Sequence, residues 1–384
     1  MADALRQIRS ILVSLRLTVV LLALSIVLVF WATLDQVHLG VWAVQQKFFH
    51  SLFVFVSLGG VQVPVFPGGY VIGGLLLANL VLAHAYRFRA GWGKAGIWIA
   101  HGGLILLLVG ELASGLLQRD FQMRLDNGQT RNFSESERRF ELAIVDETDP
   151  GFDDVVAIPQ SFLARGTVVQ NPKLPFRVVP REYYPNAAVR MRAQAPGAPA
   201  PVANRDIGAQ VVAQPLEMTY KEDEVNIPFA SVELQGPDAP LGVWSVSTEL
   251  GAPQRFEYAG RKWRIALRPE RHYQPFALTL EKFTHDVYPG TDIPKNFSSK
   301  VRIDLPGGGA PREVLIYMNN PLRYGGLTFY QAGFENNDQT TVLQVVRNPS
   351  WLVPYIACSA ITLGLVIQFL IHLAGFAKRR RDAA

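Results

Sequence analysis

The chain has 384 residues, 49% of them hydrophobic and 18% charged, with a formal net charge of +5 and one cysteine, Cys358. A single cysteine excludes an internal disulfide, a Cys-x-x-Cys redox pair and covalent c-type haem attachment within the chain. The basic excess is concentrated beside apolar segments, which points to a membrane surface and not to nucleic acid.

In chain order, residues 17–34 are the first of four charge-poor runs; the others are 68–86, 95–117 (interrupted only by Glu111) and 350–377. Each is near or above the length that crosses about 30 Å of hydrocarbon. Arg6, Arg9 and Arg16 precede the first run, and Arg87, Arg89 and Lys94 separate the second from the third. Lys378, Arg379, Arg380 and Arg381 follow the fourth, whereas the loop after the first offers only Lys47. Basic residues near span ends are retained in the cytoplasm, so this asymmetry predicts cytoplasmic termini. The first run is expected to stay as an anchor, because no small-x-small cleavage site follows residues 31–35. The expected fold class is a membrane protein of α + β type. Residues 1–118 carry three transmembrane helices, 119–350 form a large β-rich extracytoplasmic domain, and 351–384 add the fourth helix and a basic tail.

Between the first two runs, residues 42–56 place Val44, Phe48, Leu52 and Phe55 on one helical face and Gln45, Gln46, Lys47, His50 and Ser51 nearer the other. That spacing predicts an in-plane helix on the outer membrane surface, stopped by the Pro and Gly residues of VPVFPGGY. Ionisable residues inside the spans are costly in hydrocarbon and usually face a partner or cavity. His84, His101 and His372 all fall within about 5–10 Å of the cytoplasmic ends of their helices, at 1.5 Å per residue. Imidazoles from different helices at one depth can supply axial nitrogens to a haem iron; the alternative is that each snorkels or hydrogen-bonds a backbone carbonyl. His101 is followed by Gly102 and Gly103, which leave room for a large ligand or a close helix. Glu111, in the outer half of the third run, reads as a relay, a polar contact or a protonated or snorkelling residue. Cys358, alone in the last run, reads as a small packing residue.

Residues 119–350 alternate apolar and polar positions between Gly and Pro punctuation, which predicts strands at 140–145, 229–234, 243–248, 262–267, 277–283, 300–305, 313–318, 327–331 and 341–346. Hairpin turns are expected at 258–261 and 306–311, and an irregular exposed loop at the Pro/Ala-rich stretch 193–203. There is no Gly-rich phosphate loop, no Gly-x-Ser-x-Gly elbow and no His/Cys cluster at metal-ligand spacing. His272 and His285 read as isolated surface histidines.

Three stretches carry a resemblance. They are SILVSLRLTVVLLALSIVLVFWATLDQVHLGVWAVQQKFF near the start, GIWIAHGGLILLLVGELAS in the third run, and GTDIPKNFSSKVRIDLPGGGAPREVLIYMNNPLRYGGLTFYQAGF before the last run. Together they resemble the ResB family, the haem-handling membrane subunit of system II cytochrome c maturation; residues 150–225 match nothing in it. The resemblance implies that His101 is an axial ligand of haem b held within the membrane, with the second ligand from a partner or from His84 or His372. It also implies a CcsA (ResC)-type partner bearing a Trp-rich haem-binding segment, which this chain lacks. The implied role is a subunit of the bacterial inner membrane, non-catalytic by itself, that receives haem on the cytoplasmic side and passes it outward for attachment to apocytochrome c. Block 319–331, with Asn320, Pro321, Leu322, Phe329, Tyr330 and Gln331, is expected to lie near the membrane and hold the partner or the apocytochrome. Two other readings stay open from the residues alone: a membrane b-type cytochrome that transfers electrons, and a haem-free scaffold.

Overall fold

Long charge-poor runs must satisfy their backbone internally in hydrocarbon, so they fold as helices, while the alternating segments pair as strands. The computed structural model describes residues 2–87, 91–221, 224–237, 239–291, 294–305 and 310–383. Two units result: Met1–Arg119 with Tyr220–Asp223 and Asn348–Ala384, and Asp120–Thr219 with Glu224–Arg347.

The first unit begins with helix α1 (Ala2–Leu12), and Ser14 caps α2 (Leu15–Leu39) by accepting from Arg16 N at 3.1 Å. A short α3 (Val41–Val44) runs into a π-helical turn (Gln45–Phe49), and strands β1 (Phe53–Leu58) and β2 (Val61–Pro67) follow as a hairpin. Then come α4 (Gly69–Arg87) and α5 (Ala95–Leu117). The hairpin corrects the predicted surface helix over 42–56, which stops at Phe49. Phe53 to Val56 are alternating aromatic and β-branched residues, and Gly59 and Gly60, at φ of 60° and 85°, supply the two left-handed residues of a two-residue hairpin turn.

The second unit contributes β3 (Arg119–Asp126), β4 (Thr130–Asp146), β5 (Asp154–Pro159), α6 (Gln160–Ala164), β6 (Arg177–Tyr184), β7 (Ala187–Met191) and β8 (Val211–Pro215). It continues through β9 (Phe229–Gln235), β10 (Pro240–Ser247), β11 (Gln254–Tyr258), β12 (Arg261–Val287) and β13 (Pro294–Asp304). It ends with β14 (Arg312–Tyr317), β15 (Leu322–Tyr324), β16 (Leu327–Glu335) and β17 (Thr340–Arg347). Helix α7 (Val353–Asp382) returns the chain to the first unit. Four helical segments, Leu15–Leu39, Gly69–Tyr86, Trp92–Leu117 and Val353–Asp382, are long and apolar enough to span a membrane, three before the sheets and one after. The protein is therefore a membrane protein of α + β type.

Within the first unit, α5 and α7 pack closely because Gly96, Gly103 and Gly110 form one stripe of α5. A Cβ at Gly103 would lie 2.8 Å from Ala357 O, and at Gly96 and Gly110 it would overlap Gly364 O and the Val353 side chain. Buried Asn79 fixes α4 to the start of α2: Thr18 donates to its Oδ1 at 2.7 Å, and its Nδ2 donates to Leu12 O at 2.6 Å and Ser14 O at 3.2 Å. Cys358 lies on the exposed side of α7 and not in the packed seam, which its neighbour Ala357 occupies.

The second unit is built on a ten-stranded sheet in the order β14-β13-β12-β4-β3-β17-β16-β15, with β11 added on β12 and β5 on β4. Strand β12 is long enough to serve two cores. One core sets Leu142, Ile144, Trp263 and Ile265 against the separate sheet β10-β9-β6; the other encloses Leu278, Leu280, Val301, Phe329 and Leu343 as the sheet curls to bring β13 and β14 against β16. The predicted strands 262–267 and 277–283 are the two halves of β12, joined through register shifts near Pro269 and Tyr273, where the ladder yields to the imino ring. The turn at 258–261 forms as expected, with Ala259 and Gly260 at φ of 53° and 70°. Residues 306–309 of the second predicted hairpin turn, and Arg89, lie outside the described residues.

Candidate functional site

The site grows from one end of the first unit, where the start of α2, the end of α4, the start of α5 and the end of α7 gather their basic residues. The Arg9 guanidinium sits 5.1 Å from the centre of the Tyr86 ring. Gln368 of α7 caps α5: its Oε1 accepts from Ile97 N at 3.3 Å, and its Nε2 donates to Gly93 O at 3.1 Å. One of the orphan donors at the start of α5 is thereby satisfied by a neighbouring helix.

Against this frame His84 of α4 and His101 of α5 meet, with ring centroids 4.6 Å apart and planes tilted by 57°. Trp98 lies edge-on to His84 at 5.2 Å, and His84 is buried. Each histidine turns its Nδ1 to the carbonyl one helical turn back, His84 to Leu80 O at 2.9 Å and His101 to Ile97 O at 3.0 Å. A carbonyl only accepts, so in both rings Nδ1 carries the hydrogen and Nε2 keeps the lone pair. This is the tautomer that a nitrogen ligand requires. The two glycines after His101 differ in setting: Gly103 admits α7, while a Cβ at Gly102 would meet nothing within 4 Å. His372 is elsewhere, on the exposed face of α7, where its Nε2 accepts from Gln368 Nε2 at 2.9 Å.

A haem fits this arrangement through one imidazole. Two trans ligands need metal–nitrogen bonds of about 2.0 Å on each side plus the depth of each ring, which is more than a 4.6 Å centroid separation allows. Among the described residues no group of three or more His, Cys, Asp or Glu side chains could hold a bare metal ion.

Sequence reasoning missed three histidine settings. His50 ends the π-helical turn, stacks on Tyr70 (5.8 Å, 9°) and shares a hydrogen bond with Gln46 at 3.2 Å. His285 is not isolated: its Nδ1 meets Asp338 Oδ1 at 3.0 Å, and its ring lies against Phe297 and Phe334 at 4.7 and 4.6 Å. His272 likewise stacks on Phe121 at 5.2 Å. No local pattern could announce the last two, since the contacts of His272 with Phe121 and of His285 with Phe297 and Phe334 cross between strands.

The 319–331 block divides between inside and outside. Leu322 and Phe329 are core residues, and Gln331 Oε1 accepts from Ser299 at 2.6 Å while its Nε2 donates to Thr341 at 3.0 Å. Asn320 and Tyr330 are exposed, as are Asn319, Arg323, Gly325 and Gly326, and Pro321 and Gln331 are half-buried. The Gly325-Gly326 pair, at φ of 58° and 76°, is the two-residue turn joining β15 to β16.

Residues 265–342, from β12 to β17, match the sequence model of the ResB-like family. The chain is 32% identical over 106 residues to "Protein NrfI" of Wolinella succinogenes, covering 28% of this chain and 12% of that protein. It is 36% identical over 78 residues to "Cytochrome c biogenesis protein CcsB" of a Synechococcus species, covering 20% of this chain and 17% of that one. The matched stretches thus span less than a fifth of either relative. Over these strands the chain is similar to the ResB-like family, and its four candidate spans lie outside the matched stretch.

Proposed function

We propose that this chain is a membrane subunit of cytochrome c maturation that handles haem b as cargo and holds it through His101. The observation that carries the reading is the His84–His101 contact at the basic end of the spans, with both Nδ1 atoms tied to carbonyls so that Nε2 is the ligand nitrogen. Haem supplies the iron and the vinyl groups that maturation links to the apocytochrome. The chain's own residues hold and orient. Ile97 O fixes the His101 ring, and His84, itself edge-on to Trp98, walls one side of it.

His84 lies too close to His101 to share one iron with it, so a second nitrogen would come from a CcsA-type partner. A permanent bis-histidine haem inside this chain does not suit that geometry. The asymmetry of basic residues sets the His84–His101 end at the cytoplasm and the sheet unit outside, where apocytochrome c is found. The test is genetic and chemical together. In a strain deleted for this gene, the wild-type chain should restore haem-stained cytochrome c and co-purify with haem, whereas His101→Ala should be inserted and abundant yet do neither. Wild-type levels of holocytochrome c from His101→Ala would end the proposal.

A further inference from the structure

Helix α5 has two faces of different character. Gly96, Gly103 and Gly110 are sealed on α7. At 100° per residue, His101, Leu104, Leu108, Glu111 and Gly115 fall on a second, flanking side at spacings of three and four. That side is open: Leu104 is 38% exposed, and Glu111 is exposed. Among the described residues Glu111 makes no hydrogen bond or ion pair. It lies about 15 Å along the axis from His101 and about 9 Å before the end of α5, at 1.5 Å per residue. A glutamate is too short to bring its carboxylate to the interface from that depth in the way Lys and Arg do.

On the same unit Arg119 follows α5 and His50 lies beside Gly115, yet neither pairs with Glu111. The cations Lys94, Arg379, Arg380 and Arg381 flank the other end of the spans, and Lys47 is taken by Asp35 at 2.7 Å. A second copy of this chain docked in parallel through this face would set one Glu111 near the other, a like-charge contact in hydrocarbon. The far end of the stripe is bounded: a Cβ at Gly115 would find His50 Nε2 at 3.5 Å and Tyr70 OH at 3.9 Å.

We infer that this face of α5 is the seam on which a transmembrane helix of a different protein packs, and that Glu111 accepts a hydrogen bond from a Lys, Arg or His side chain of that helix. The inference rests on the partner required by the proposed function and not on haem ligation. The seam runs from His101, where the partner's nitrogen would meet the haem, to Glu111, so one helix could supply both contacts.

The test places a photo-crosslinking amino acid at Leu108 of the full chain in native membranes and identifies the product by peptide mass spectrometry. A crosslink to a spanning helix with a Lys, Arg or His at the depth of Glu111 is expected. Its yield should fall at least tenfold in Glu111→Lys and return when the identified basic residue is exchanged for Glu. Glu111→Leu, which inserts more readily than wild type, should also lose the crosslink, while His101→Ala should keep it and lose only haem. Crosslinks to lipid alone or to a second copy, or a full yield from Glu111→Leu, would overturn the inference. Loss of the crosslink in His101→Ala with retention in Glu111→Lys would overturn it too, by showing that haem and not the acid holds the seam.

Discussion

At the scale of single residues, the histidines are distinguished by what holds their second nitrogen. His101 and His84 each spend Nδ1 on a backbone carbonyl, whereas His372 meets a side-chain amide on an exposed helix face. His372→Ala is therefore expected to leave haem content unchanged, measured as the Soret absorbance of the purified complex per unit protein. His84→Ala should lower it less than His101→Ala does. The place of His101 inside a span was legible in the sequence, since it falls within a charge-poor run that folds as α5. The partners of His285 were not legible, because Asp338 is 53 residues away and reaches it only through strand pairing. The same holds for the pair Arg268 and Glu141, opposite one another on β12 and β4 with side chains 12% and 7% exposed. Arg268→Met would strand a buried carboxylate, and the unfolding free energy of the full chain should drop by about 3–5 kcal/mol. Near-ultraviolet circular dichroism, sensitive to the buried Trp244 and Trp263, is the measurement.

Among elements, the α5–α7 seam depends on three glycines whose replacement has a direction fixed by geometry. Gly103→Leu pushes a side chain into Ala357 O and Ile361, and a loss of about 1–3 kcal/mol or more is expected, read as a lower midpoint of thermal unfolding in detergent. Gly102→Ala, with open space around it, should be neutral or slightly stabilising by the same assay. The spans and eight of the seventeen described strands (β4, β9, β10, β12, β13, β14, β16 and β17) were visible in sequence because their patterns run long. The β1–β2 hairpin was not. Residues 42–52 share a helical period, and a short apolar run such as Phe53 to Val56 reads either way until the Gly59-Gly60 turn is weighed. Strands β6, β7 and β8 escaped for another reason: their segments are short and interrupted by Pro and Arg, so alternation never builds up.

For the whole molecule, charge pairing on the sheet unit sets its response to acid. The Arg302 guanidinium and then the Thr279 hydroxyl hold Asp304 below the ordinary carboxylate range, Thr148 does so first for Asp146, and Arg181 first for Glu233. Folded pKa values depressed in this way contribute stability above the unfolded carboxylate range, and it is lost as pH falls through the folded values. The unfolding midpoint should be flat near neutrality and decline below about pH 4, modestly, since these pairs are partly exposed. Orientation has its own test: an alkaline phosphatase fusion in the exposed loop at Pro199 should be active and one after Arg381 inactive, and the reverse pattern would contradict export of haem through this chain. The most direct measurement is the absorption spectrum of the purified wild-type and His101→Ala complexes, with and without added imidazole. The expected result is loss of most co-purifying haem in His101→Ala with partial recovery of a six-coordinate spectrum on adding imidazole. An unchanged haem content and an unchanged six-coordinate spectrum without imidazole would contradict the assignment of His101.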